Sequence, residues 1–131
     1  MSLSEKTFIL GVGAQKAGTT WLHQYLDEHP EVFMSPIKEL HYFDEKHCAE
    51  LAPMTTQRFR KRLAAVTAKD KVRPAMVRAL SARIAMKSDD KAYERYFEER
   101  VKPQHRAFGE ITPSYSLLPV EGFRDAKSRF E

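Results

Sequence analysis

Cysteine is almost missing: Cys48 is the only one in 131 residues. An intramolecular disulfide and a multi-cysteine metal site are therefore excluded, and Cys48 is expected to be a buried or incidental thiol. Long apolar runs are missing too. None approaches the roughly 20 residues that a membrane-spanning helix requires, and the opening MSLSEKTFILGVG has too short an apolar stretch for a secretory signal. The expectation is a cytoplasmic chain with no membrane partner and no nucleic-acid partner. Acidic residues are scarce in one region. Residues 57–88 carry ten lysines and arginines against Asp70 alone, so that segment is +9 and the remainder of this +4 chain is −5. Its charges interleave with Met76, Leu80 and Ile84 at helical spacing. They read as a solvated helix face, with attraction of an anionic ligand as the other reading. Glycine is also scarce, yet three of the five, Gly11, Gly13 and Gly18, fall within the eight residues GVGAQKAG.

What is present is ordinary globular composition, 42% hydrophobic and 31% charged, in a chain long enough for one domain with a real core, taken as residues 1–131. Phe8-Ile9-Leu10 is a compact β-prone run stopped near Gly11, which reads as a buried strand. Thr19 to His29 places Trp21, Leu22, Tyr25 and Leu26 on one helical stripe and stops before Pro30, because a pre-proline residue disfavours helical geometry. VFMSPIKELHYFD reads as a turn or short helix at a site. Residues 55–68, 74–87 and 89–101 read as helices, the second with Pro74 in its first turn. HRAFGEITPSYSLLP gives a short strand closed by Pro113. Strand, glycine loop and helix in that order indicate an α/β fold.

A loop of this kind holds an anion. The N–H groups of a first helical turn lack partners and carry the positive end of the helix dipole. Gly13 and Gly18 allow close approach, and Thr19 and Thr20 add hydroxyls. The nucleotide loop G-x-x-x-x-G-K-[ST] fails here, since Gly18 is followed by Thr19-Thr20 and the lysine is Lys16. A kinase or NTPase is thereby disfavoured. The dinucleotide fingerprint G-x-G-x-x-G matches Gly11 and Gly13 but meets Lys16 at its third glycine.

The spacing that does fit is G-x-x-K-x-G-T-T followed by a large residue. GAQKAGTTWLHQYLDEHPEV resembles the 5′-phosphosulfate loop of sulfotransferases that use 3′-phosphoadenosine 5′-phosphosulfate (PAPS), especially the heparan-sulfate and related bacterial branch. KELHYFD, YERYF and GEITPSY resemble later segments of that branch, in the right order, so the similarity spans about residues 7–118. The resemblance implies a P-loop-like sulfotransferase fold, a parallel sheet flanked by helices. It implies PAPS as donor, without a metal, and a hydroxyl or amine acceptor on a carbohydrate or small molecule. Gln15, Lys16, Ala17, Gly18, Thr19, Thr20 and Trp21 are then the donor-binding residues.

Negative charge grows on the phosphate oxygen that leaves in sulfuryl transfer, and a fixed cation beside it stabilises the transition state more than the ground state. Lys16 is the candidate for that cation. The acceptor must also lose a proton, which requires a base within hydrogen-bond reach. By resemblance Glu39 takes that role, with His41 the alternative, since an imidazole needs no perturbation to act near neutrality. Glu110, Thr112 and Tyr115 are candidate substrate-binding residues, although Glu110 reads equally well as a structural carboxylate at a strand end. Some family members carry a lysine where this chain has Ile111, so either another basic residue substitutes or the acceptor differs. His41, Asp44, His47 and Cys48 match no established metal-ligand spacing. The family's 3′-phosphate site normally follows the TPSY segment in a domain roughly twice this length. Residues 1–131 therefore read as the N-terminal portion of such a domain, with a truncated, non-catalytic anion-binding module as the alternative.

Overall fold

A computed structural model describes residues 2–13 and 18–131. Gln15, Lys16 and Ala17, three of the expected donor-binding residues, lie outside the described residues. Three parallel strands, β1 (Thr7–Gly11), β2 (Val32–Met34) and β3 (Ala107–Ile111), form a sheet in the order β1-β3-β2. Six helices accompany it: α1 (Thr19–Asp27), α2 (Tyr42–His47), α3 (Thr55–Thr67), α4 (Pro74–Ala85), α5 (Ala92–Glu98) and α6 (Val120–Ser128). The α/β class with a parallel sheet and flanking helices is as the sequence implies.

Strand register explains where the core sits. Phe8 and Phe33 both pair with Phe108 in the ladder, so three phenylalanines form a row on one face of the sheet. Phe97 of α5 and Phe130 after α6 pack on that row, 5.4 and 4.9 Å from Phe108 between ring centroids. Side chains alternate along β3, so Glu110 shares the aromatic face with Tyr93 while Gly109 and Ile111 face the other way. Gly109 has no alternative, because a Cβ there would stand 1.8 Å from the carbonyl oxygen of Ile9. On that side α1 lies against β2 and β3.

Several elements differ from the sequence reading. Three of the four residues in the α1 stripe, Trp21, Leu22 and Tyr25, face outward. Trp21 and Tyr25 are 67% and 58% exposed and stack on one another, while Leu26 joins Thr19 and His23 on the half-buried side at helical spacing. The helix read at 89–101 is shorter, because Asp89 closes a turn with the N–H groups of Lys91 and Ala92 before the helix begins. β2 falls where the sequence suggested only a turn or short helix. In α6 the buried residues are Gly122 and Ala126, too small to give a hydrophobic stripe. Arg129 then ties that helix end to Asp125 at 2.8 Å and Glu94 at 2.8 Å. The basic segment is solvated as read except at one position. Nine of its ten cations are exposed, and Arg83 is fully buried. Among the described residues no helix is long and apolar enough to cross a membrane.

Candidate active site

The C-terminal ends of β1 and β3 lead to two recesses. Gly18, with φ of 80°, turns the chain in the left-handed region and opens α1 with no side-chain cap on the first turn among the described residues. Glycine fits there because an L side chain resists that conformation. The uncapped N–H groups, with the hydroxyls of Thr19 and Thr20, border a small recess of about 110 Å³ whose other walls are His23, Lys38, Glu39, Ile111 and Pro113. His23 is set by a 3.1 Å contact between Nε2 and the carbonyl of Ser35. Trp21 lies outside this lining.

The second recess, about 390 Å³, is lined by Lys38, Glu39, His41, Ala52, Thr55, Arg58, Phe59, Arg62 and Ser114. Lys38 and Glu39 border both recesses, so the two meet at this pair. His41 sits beside them with φ of 52°, a left-handed conformation that costs a non-glycine residue about 1 kcal/mol. That backbone aims the imidazole between two carboxylates. Nδ1 lies 2.8 Å from Oδ2 of Asp44, and Nε2 lies 3.7 Å from Oε2 of Glu39. Asp44 is buried and also accepts from Ser114 Oγ at 2.7 Å and the Glu45 N–H at 3.0 Å. Burial alone raises the Asp44 carboxyl, but the His41 and Ser114 hydrogen bonds and the imidazolium charge outweigh it and hold it below its ordinary range. Burial opposes charge on His41, yet the Asp44 hydrogen bond and the charges of Asp44, Glu39 and Glu110 raise it above its ordinary 6.5. The Asp44 bond fixes Nδ1 as the protonated nitrogen and leaves Nε2 toward Glu39.

Glu110, Thr112 and Tyr115 stand behind this site and line neither recess. All are fully buried. Glu110 accepts from Tyr93 Oη at 2.7 Å, Tyr115 Oη at 2.9 Å and Thr112 Oγ1 at 2.6 Å. Two of those hydroxyls spend their lone pairs on the start of α2. Thr112 Oγ1 accepts the Leu40 N–H at 3.1 Å, and Tyr115 Oη accepts the Tyr42 N–H at 3.0 Å. N–H groups that a helix start leaves orphaned are thus capped by hydroxyls anchored on one carboxylate. Burial raises the Glu110 carboxyl against these three hydrogen bonds, which lower it.

Residues 8–118 match the sequence profile described as the sulfotransferase family. The chain belongs to the sulfotransferase family. No curated protein and no solved structure gives a significant match. Within this sulfotransferase fold, Thr19, Thr20 and Glu39 border the small recess, and Glu39 and His41 border the larger one. Lys38, Asp44, Ser114 and Arg83 were not singled out from sequence as site residues. Lys38 adjoins Glu39, a signal available in the motif, and Asp44 sits one helical turn after His41. His47 turns away to Asp125 at 2.7 Å. Among the described residues no three His, Cys, Asp or Glu side chains converge as a metal site would require.

Proposed function

We propose that this sulfotransferase moves a sulfuryl group from PAPS to a hydroxyl or amine of a carbohydrate or small-molecule acceptor, with donor and acceptor meeting at Glu39. The observation that carries this reading is the shared border. Lys38 and Glu39 line the small recess at the start of α1 and also the larger recess beside His41.

The donor side fits the anionic end of PAPS. Among the described residues its α1 turn has no side-chain cap and Gly18 has open space where a Cβ would stand, and its hydroxyls belong to Thr19 and Thr20. Gln15, Lys16 and Ala17 would complete the cradle, with Lys16 as the cation beside the leaving phosphate, whereas Trp21 faces outward from it. When bound, PAPS supplies a sulfur that bonds to the acceptor atom as its bond to phosphate breaks, the electron pair staying on the phosphate oxygen.

The chain's own residues manage charge and proton. Glu39 takes the acceptor's proton, and His41, held by Asp44, faces Glu39 with Nε2, which in the imidazolium form donates toward that carboxylate and stabilises its charge. Lys38 supplies a cation at the border, where Ile111 contributes none. Glu110, Thr112 and Tyr115 keep the His41 turn in place from behind the site.

A radiolabelled PAPS assay over a panel of hydroxyl and amine acceptors tests the reading. Transfer that falls with Glu39→Gln and Lys16→Ala supports it. Tight binding of the bisphosphate product without transfer to any acceptor would instead favour the non-catalytic module, and magnesium-dependent ATP turnover would favour a kinase.

A further inference from the structure

The basic segment of residues 57–88 holds one cation that does not behave like the others. Arg83, in the last turn of α4, is completely buried, whereas the nine remaining cations are exposed. Charge of this kind is hidden only where it is paired and hydrogen-bonded. All of its hydrogen bonds go to residues 40–45. Nε donates to the Leu40 carbonyl at 2.6 Å, and Nη2 donates to the His41 carbonyl at 2.9 Å and to Glu45 Oε1 at 2.9 Å. Nη1 has no partner among the described residues, and the guanidinium lies over the Phe59 ring at 4.8 Å.

The residues it grips are those that carry His41. Leu40 and His41 give their N–H groups to Thr112 Oγ1 and their carbonyls to Arg83. The left-handed turn at His41 is therefore held from two sides, by a neutral hydroxyl anchored on Glu110 and by a planar cation from α4. A lysine cannot reproduce the second hold. One ammonium lacks the fixed fork that reaches two successive carbonyls and a carboxylate at once.

We propose that Arg83 is a positioning residue of the transfer site, which fixes the left-handed turn at His41 so that the imidazole stays between Asp44 and Glu39. Packing of α3 on α4 then has a use beyond covering the core, since it places Phe59 and Arg83 beneath the site. The inference rests on the proposed role of His41 in transfer, but its test reads the imidazole directly and does not need turnover.

The test is nitrogen-detected NMR of ¹⁵N-histidine-labelled chain, following the tautomer and titration of His41, with His23 and His105 as internal references. Groups that bear on His41 are Asp44, Glu39, Glu110 and Ser114, with Lys38, Arg58 and Arg62 in the same recess. Arg83→Lys keeps the buried charge beside Glu45 and removes the fork. The double variant Arg83→Met with Glu45→Gln removes both charges, so that neither is left unpaired. In wild type a single tautomer protonated on Nδ1 is expected. In either folded variant the expectation is a mixture of tautomers and a His41 midpoint lower by about half a pH unit or more, with the reference histidines unmoved. An unchanged His41 tautomer and midpoint in a folded variant would overturn the assignment. Failure of both variants to fold would also overturn it, making Arg83 a residue of stability alone.

Discussion

The two sides of Glu39 are built from different materials. On the proposed donor side the described groups at the start of α1 are a left-handed glycine, the backbone of the first helical turn and two threonine hydroxyls. On the acceptor side the arrangement is made of side chains locked to one another, from Asp44 and Ser114 through His41, with Thr112, Tyr115 and Glu110 beneath. Backbone N–H groups suit a ligand whose anionic end never changes. A proton acceptor needs a fixed tautomer and a set direction, and only side chains with named partners provide those. Under the proposed function the contrast separates binding from proton transfer, and substitutions on the two sides are expected to fail differently.

The largest expected effect is at the meeting point. Glu39→Gln should lower the transfer rate by about 10²–10⁴-fold while leaving affinity for the bisphosphate product close to wild type, as loss of a general base predicts. Steady-state transfer kinetics beside calorimetric titration check both halves. Lys16→Ala should cost about 10²–10³-fold in rate and also weaken product binding, because the proposed role of its charge is to offset that of the leaving phosphate. A substitution on one side that produced the signature of the other would break the comparison.

The candidate donor-side residues could be named from sequence because the signal is local: the spacing from Lys16 to Thr20 is contiguous, and of these Thr19 and Thr20 border the small recess. Glu39 and His41 are candidates for the same reason, and both border the larger recess. Asp44 was passed over as an orienting residue because its contact with His41 depends on the left-handed turn, which nothing in KELHYFD announces. Arg83 was hidden more deeply. It lies 42 residues from His41 in sequence, inside a run whose charge pattern describes solvent exposure correctly at every other cation. β2 is three residues long, and α6 packs through glycine and alanine, so neither gave a usable period.

Smaller effects sharpen the acceptor side. Asp44→Asn should bring His41 back toward its ordinary midpoint, since Asp44 supplies the hydrogen bond and the nearest charge that raise it. The sign for stability follows. A histidine raised in the folded state contributes stability that is complete below its unfolded midpoint and is lost as pH rises through the folded one. Wild type should therefore lose a little stability upward from about pH 6.5, and Asp44→Asn should lose less; denaturant titrations on either side of that pH check it. Glu110→Gln should destabilise the fold by about 2 kcal/mol, because three buried hydroxyls converge on a carboxylate and an amide cannot accept from all of them.

The smallest effect belongs to a carboxylate away from the site. Burial raises Asp125, but Arg129, His47 and Lys46 outweigh it and hold it well below its ordinary 3.8. Its contribution is present above that ordinary value and is lost as pH falls through the depressed one. Asp125→Asn should thus flatten the acid limb of the melting curve below about pH 4, by about 1 kcal/mol, and leave transfer unaffected.

The central proposal, that the start of α1 holds the phosphate of a PAPS-type nucleotide, is tested most directly by calorimetric titration with 3′,5′-adenosine bisphosphate in the absence of magnesium, wild type beside Lys16→Ala. Saturable binding that weakens in the variant is the predicted result. Absence of binding by the folded chain, or binding indifferent to Lys16, would contradict it.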